Sequence, residues 1–352
     1  MAGKHRCLMI GAGGMATWWV RSFFPPFAER MEVVGLVDVD PAPLEAQGDF
    51  LGLSPERRFT SMEGAFARVE ADFCVICIPP AYHREAVLRA VESGMQILSE
   101  KPIADTWEAC LDIYRAVTNA GVKMSVVQNY RYTPRILTFR QALTEGRVGR
   151  PNYLVGRFAA DYRSRNAWGK FRHEIPHSLL VEGAIHHFDQ LRNLSGSDCR
   201  TIAGWEWNPG HPSFDGECCG LYVMEMANDV RALYEGNCLE AGWQTSWHQE
   251  YYRAECEKGA IVLDRDGTVR VLEHTPAGGL KMEELPHSAP KHDGHCFLVN
   301  EFLDWLDGGP EPATIIGDNI MSAAMLFAAI VASETQSVVD VEAKVRAATA
   351  GG

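Results

Sequence analysis

The sequence predicts an α/β protein in two parts. The first is a doubly wound domain on a parallel sheet, the second an α+β domain on an antiparallel sheet with a few helices. Three observations predict it. Short apolar runs alternate with amphipathic stretches through the first third of the chain. A glycine-rich turn joins the first apolar run to the first helix. Beyond about residue 130, apolar runs of strand type follow one another with few helices between them. Alternating strands and helices imply βαβ units, and right-handed crossovers wind them doubly.

The elements follow in order. Strands are expected at 7–10, 32–38, 73–78, 96–99 and 123–127, with helices at 15–24, 83–93 and Trp107–Ala120. In the second part, strands are expected at 153–158, 201–207, 220–226, 230–236, 249–256, 260–263 and 268–272. A helix over 178–194 ends at Gly196, a residue suited to a left-handed cap. A second covers 297–306, where Leu298, Phe302, Trp305 and Leu306 share a face, and a last apolar helix covers 320–333. The Gly- and Pro-rich stretch 277–290 reads as an exposed loop. The change of pattern sets a cofactor-binding domain at 1–128 and a second domain at 129–352.

A chain of 352 residues fits two domains, and 46% apolar with 22% charged residues is the composition of a globular protein with ample core. A formal charge of -13 repels phosphate backbones and anionic lipid, so neither nucleic acid nor membrane is an expected partner. No apolar run reaches the length of about 20 residues that spans a bilayer. No secretory signal is read at the N-terminus, and a cytoplasmic location is expected. Cys74 and Cys77 form a CxxC inside an apolar strand, where side chains three apart point to opposite faces. Two structural thiols are the expectation, not a redox pair.

Cys7-Leu8-Met9-Ile10 runs into Gly11-Ala12-Gly13-Gly14-Met15-Ala16, a GxGxxA turn between strand and helix. The first glycine permits the tight turn, the second lets backbone approach a pyrophosphate, and the small last residue lets helix pack on strand. Asp38 ends the second strand. It either accepts hydrogen bonds from the adenosine ribose, favouring NAD over NADP, or starts a turn with Val39-Asp40-Pro41. Glu100-Lys101-Pro102 follows the strand at 96–99, at the sheet edge where ligands of open α/β sheets sit. A lysine there is either a surface residue or a group beside the nicotinamide, where burial and the cationic ring would lower its pKa.

These segments, with Cys77-Ile78-Pro79-Pro80-Ala81-Tyr82-His83 and Gln128-Asn129-Tyr130-Arg131-Tyr132, resemble the Gfo/Idh/MocA oxidoreductases. The resemblance runs on through 182–189 and 317–341, so it spans essentially the whole chain. It implies an N-terminal Rossmann domain that binds NAD. It also implies a C-terminal domain with an open, mostly antiparallel sheet that often serves as an oligomer interface, so a homo-dimer or tetramer is expected. Lys101 is the implied catalytic residue, Glu100 lies near the nicotinamide ribose, Pro79 and His83 line the cofactor cleft, and Gln128 is a further cofactor contact.

In Val181-Glu182-Gly183-Ala184-Ile185-His186-His187-Phe188-Asp189, a regular helix sets Glu182, His186 and Asp189 on one stripe. His187 falls on the opposite, apolar stripe with Leu180, Ala184, Leu191 and Leu194 and reads as a core histidine. The segment resembles the family's Asp-xxx-His-xx-Asp pattern, with Glu182 in place of the first aspartate. His173, His177, Glu182, His186 and His187 stand close enough in sequence to suggest zinc. The family pattern needs no metal, and none is expected.

Oxidation of an alcohol needs a hydride acceptor and a proton acceptor. Lys101 and His186 are expected to hydrogen-bond the reacting oxygen, one acting as base, with Glu182 orienting His186 or binding a neighbouring hydroxyl. Substrate contacts are expected from Arg131, Tyr132, Tyr162, Arg163, Trp168 and His173, with Arg165 and Asn166 in the same loop. Mixed rings and polar groups suit a sugar or polyol, and the arginines suit a sugar acid. Two other activities fit the same residues: glycoside cleavage or isomerisation with retained NAD and no net redox, and NAD sensing without catalysis.

Overall fold

A computed structural model of the protein describes residues 3–165, 167–242 and 247–349. The chain forms two compact units, Met1–Asn129 with His292–Ile320, and Tyr130–Lys291 with Met321–Gly352. The sequence pattern assigns all of 129–352 to the second domain, but His292–Ile320 packs in the first. Helix Gly294–Leu306 buries Leu298, Val299, Phe302 and Leu303, and the Phe302 ring lies 5.6 Å from that of Phe73. Val126 N donates to Thr314 O at 2.9 Å. Apolar spacing shows that a helix has a buried face, not which sheet that face covers.

The first unit holds a six-stranded parallel sheet of β1 (His5–Ile10), β2 (Met31–Val37), β3 (Arg58–Phe59), β4 (Phe73–Ile76), β5 (Gln96–Ser99) and β6 (Met124–Val126). Their spatial order is β3-β2-β1-β4-β5-β6, the doubly wound order whose ligand crevice opens where the winding reverses, beyond the carboxyl ends of β1 and β4. β4 is buried throughout, which is why it reads as an unbroken apolar run. Helix Pro41–Leu51 is absent from the sequence expectation. Asp40 caps it by accepting from Ala42 N at 2.9 Å, Pro41 occupies its first position, and Gly52 ends it at φ 67°. The helix expected at 15–24 is α over Met15–Trp18 and π over Trp19–Phe23.

The second unit holds a nine-stranded sheet of β7 (Pro151–Ala159), β8 (Cys199–Trp207), β9 (Cys219–Met226), β10 (Arg231–Asn237), β11 (Tyr251–Cys256), β12 (Gly259–Leu263), β13 (Val269–His274), β14 (Leu280–Leu285) and β15 (Val339–Asp340). Their order is β14-β13-β12-β11-β7-β10-β9-β8-β15. Every pairing is antiparallel except β7 with β10. β14 falls inside the expected loop 277–290. It is a largely exposed edge strand that hairpins onto β13, so it lacks the apolar alternation that marks a half-buried strand.

Helix Ile185–Ser195 covers one face of this sheet, where Phe188 meets Tyr222 and Tyr234 edge-on at 5.8 and 5.1 Å. The opposite face presents Tyr153, Trp205, Leu221, Val223 and Leu233 to solvent. Helix Ile316–Thr335 is 20 residues long and apolar enough, by length and composition, to cross a membrane. That departs from the expectation of no such stretch. Its most apolar window is 67% buried within the protein, as a core helix is.

Candidate active site

In the first unit the glycine turn closes against the end of β4. Gly11 sits at φ 109°, and a Cβ there would lie 2.1 Å from the carbonyl oxygen of Cys77. Only glycine fits. At Gly13 a Cβ would meet nothing nearer than Pro43 Cγ at 3.7 Å, and at Gly14, φ 50°, nothing within 4 Å. The turn is therefore tight on the sheet side and open on the other. Ala16 is fully buried, as close helix–strand packing requires. No side chain caps the helix that starts at Met15.

Asp38 Oδ2 accepts from Ala12 N at 2.7 Å and Gly13 N at 3.1 Å, and its Oδ1 accepts from Asp40 N at 2.9 Å. It thus both starts the turn and holds the glycine loop. Oδ1, with one bond accepted, keeps a further acceptor site, suited to a ribose hydroxyl, and the carboxylate is hostile to a 2′-phosphate. Loop and carboxylate together fit a dinucleotide with free ribose hydroxyls.

Glu100, Lys101 and Pro102 follow β5 at the carboxyl edge of the sheet. Glu100 is buried. Its Oε1 accepts from Trp19 Nε1 at 2.9 Å and lies 3.4 Å from His295 Nε2. His295 is stacked on Phe23 at 4.3 Å and meets Trp19 edge-on at 5.6 Å. Burial pushes the Glu100 carboxyl up, but the hydrogen bond and charge of His295, the charge of Lys101 and the Trp19 bond prevail and hold it below its usual range. Trp19 is therefore a packing residue with a polar task, while Trp18 is exposed. His295 lies nearly 200 residues away in sequence, so no local pattern marks it.

His83 does not present its ring to a cleft. It is fully buried, with Nδ1 3.0 Å from Pro102 O and Nε2 2.9 Å from Ile78 O. Burial lowers its pKa, against the upward pull of those carbonyls. It braces the strand-end loops that carry Pro79 and Lys101. Gln128 is likewise fully buried, and neither end of its amide has a partner among the described residues.

In the second unit the segment with Glu182 is not a regular α-helix. Leu179–Ala184 is a π turn, and α geometry begins at Ile185. The wider turn alters the expected stripe, and such turns favour functional sites. Glu182 is buried and its Oε2 accepts from Arg172 Nε at 2.8 Å. His186 stacks on Tyr130 at 4.3 Å, their planes 10° apart. Tyr162 stacks on Trp168 at 5.0 Å, and Trp247 lies 5.6 Å from Trp168 and 6.2 Å from His186. Both tryptophans pack within 3.6 Å of where a Gly183 Cβ would stand. Burial pushes the Tyr130 hydroxyl well above its usual pKa. Trp247 and Tyr130 extend the aromatic wall beyond the residues expected from sequence.

Three expected substrate contacts have other partners. Arg131 is buried, its Nε and Nη2 donating to the two oxygens of Asp189 at 2.7 and 2.6 Å. His173 is fully buried, its Nδ1 2.9 Å from Ser213 O. Arg163 forks onto Asp161 with two bonds of 2.7 Å and holds that carboxyl down at about 2. Tyr132 is buried, and Arg165 pairs with Asp215 at 2.7 Å. Asn166 lies outside the described residues. His187 is the core histidine expected, with Nδ1 2.8 Å from Tyr234 Oη. The zinc candidates disperse: Glu182 faces Arg172, His173 faces Ser213, and His177 faces Glu206.

Residues 5–128 match the family described as "Oxidoreductase family, NAD-binding Rossmann fold" of the GFO/IDH/MocA type, and residues 136–262 match the GFO/IDH/MocA C-terminal domain. The Sinorhizobium fredii protein y4oX is 37% identical over 337 residues, covering 93% of this chain and 92% of that protein. The 1,5-anhydro-D-fructose reductase of Ensifer adhaerens is 23% identical, over 96% of this chain and 99% of the reductase. Among solved structures, an Agrobacterium radiobacter oxidoreductase in complex with NAD+, L-tartaric acid and magnesium superposes with a TM-score of 0.85. It is 20% identical over 97% of this chain and 100% of its own.

Proposed function

The chain belongs to the Gfo/Idh/MocA oxidoreductase family, and from that premise we propose that it transfers a hydride between a hydroxyl of a sugar, polyol or sugar acid and NAD. The observation that carries the reading is the glycine turn: it admits no side chain at Gly11, lies open at Gly13 and Gly14, and is tied to the Asp38 carboxylate. NAD would be held by Gly11–Ala16 and Asp38, with Glu100 and Lys101 at the nicotinamide end. When bound it supplies the hydride acceptor.

The residues divide the remaining work. Lys101 donates to the reacting oxygen and stabilises the alkoxide charge that grows there as the hydroxyl proton leaves. His186, held flat against Tyr130, is the base that takes the hydroxyl proton. Glu182 is paired with Arg172, so its part is to orient the polar groups that bind substrate. Tyr162, Trp168 and Trp247 offer ring faces to the CH faces of a sugar. The sugar-linked relative from Ensifer supports this substrate class.

The exposed face of the second sheet is assigned to self-association. Trp205 is paired with Leu221, and Val223 with Leu233, so the apolar side chains form a continuous patch. A cytoplasmic location is proposed with it, supported by ten cysteines scattered along the sequence with no scaffold spacing.

A screen of sugars, inositols and sugar acids with NAD and with NADP, read as absorbance of reduced nicotinamide, tests the proposal. Turnover with NAD and one such compound supports it. Substrate conversion without net NADH would point to transient redox, and no conversion of any compound would refute the reading.

A further inference from the structure

His177 stands between helix Lys170–Glu174 and the π turn that carries Glu182. Its Nδ1 lies 2.6 Å from Glu206 Oε1 and 3.5 Å from Glu217 Oε2. Its backbone N–H donates to Glu217 Oε2 at 3.1 Å. Glu206 lies on β8 and is tied at its backbone to Ser333 Oγ at 3.0 Å. Its side chain is only 2% exposed. The second oxygen, Oε2, is buried with no hydrogen-bond partner among the described residues.

That arrangement is short of positive charge. The leading charges on His177 are Glu206, Glu217 and Glu334, and those on Glu206 are His177, Glu217 and Glu334. Three carboxylates face one imidazole, so the group stays net negative even with His177 protonated. A buried carboxylate oxygen with no donor is a costly arrangement for a fold to keep. Donor atoms of the three residues all lie within 4.8 Å of one another. Bonds of about 2.0–2.2 Å to a four-coordinate ion set donors about 3.3–3.6 Å apart, within reach of small side-chain rotations.

We propose that His177, Glu206 and Glu217 bind a divalent first-row transition cation of the zinc type. One imidazole nitrogen with two carboxylates is a donor set such ions accept, whereas magnesium and calcium prefer oxygen alone. Glu334 or water completes the coordination. The ion fastens the loop before the π turn to β8 and to the segment leading into β9. It steadies the backbone that carries Arg172 and Glu182. The site does not depend on the oxidoreductase reading, because it can be measured without NAD or substrate.

The test uses the full chain, stripped with a chelator and titrated with zinc by calorimetry, with cobalt as a spectroscopic probe. Magnesium and calcium serve as controls. One zinc per chain and a raised melting temperature are expected. Glu217→Gln, at a half-exposed position that tolerates an isostere, should weaken binding at least tenfold. His177→Gln should abolish it, and Lys101→Ala should leave it unchanged. No saturable zinc binding, equal binding in both variants, or saturation by calcium or magnesium alone would overturn the proposal. So would a thiolate–cobalt charge-transfer band, which would place the ion on Cys218 or Cys219 instead.

Discussion

Replacing Arg131 by methionine should cost several kcal/mol of stability and leave substrate affinity nearly intact. Arg131 and Asp189 are 7% and 1% exposed. The guanidinium reaches both carboxylate oxygens at 2.7 and 2.6 Å, and Ser322 Oγ adds a third donor at 2.7 Å. Leaving one charge of such a pair without its partner costs about 3–5 kcal/mol. At about 1.4 kcal/mol per tenfold, a 3 kcal/mol loss lowers the folding equilibrium roughly 100-fold. Asp189→Asn should cost a similar amount. The double change Arg131→Met with Asp189→Leu should recover part of it, because neither charge of the pair is left alone, while Arg192, 3.8 Å from Asp189, and Ser322 Oγ lose an acceptor. Urea unfolding of the full chain measures the midpoint, with the slope as a check on the unfolded state. A wild-type midpoint with a KM raised tenfold or more would return Arg131 to the substrate and refute the structural role.

Gly11→Ala forces a methyl into the Cys77 carbonyl at a φ of 109°. Strain of about 1–3 kcal/mol should lower the first unit's stability, whereas Gly13→Ala, where no positive φ is needed and a Cβ meets nothing nearer than Pro43 Cγ at 3.7 Å, should cost little stability; equal shifts in melting would count against the tight-turn geometry. Lys101→Ala should reduce turnover by orders of magnitude with NAD affinity largely kept, measured by stopped-flow and by nucleotide titration, and an active variant would remove the lysine from the chemistry. Glu100 has its folded pKa held below the ordinary 4.5. Its contribution to stability is therefore complete above the unfolded pKa and is lost as pH falls through the folded value. His295→Gln and Trp19→Phe should narrow that loss by raising the folded pKa, and acid unfolding curves that do not move would argue against the network.

The glycine turn, the edge position of Lys101 and the nucleotide-binding character of the first unit were legible because each rests on local chemistry. A turn of this type needs glycine where a side chain meets backbone, and strand–helix alternation needs only neighbouring residues to reveal it. The seven expected strands of the second sheet were visible for the same reason, since alternation along a strand reports a half-buried face. β14 was not, because an exposed edge strand has no buried face to report. The π turn at Leu179–Ala184 escaped as well, since its hydrogen-bond pattern leaves no compositional mark.

Partners remote in sequence were the other blind spot. His83, Arg131 and His173 carry the side chains of a binding site, yet burial commits them to Ile78 and Pro102, to Asp189, and to Ser213. His295 and Trp19 had no local reason to meet Glu100, and Glu206 and Glu217 none to meet His177. Backbone sterics and periodicity act over a few residues and can be read along the chain. Charge pairing and desolvation act over a few ångströms of space, and folding alone chooses which distant residues come that close.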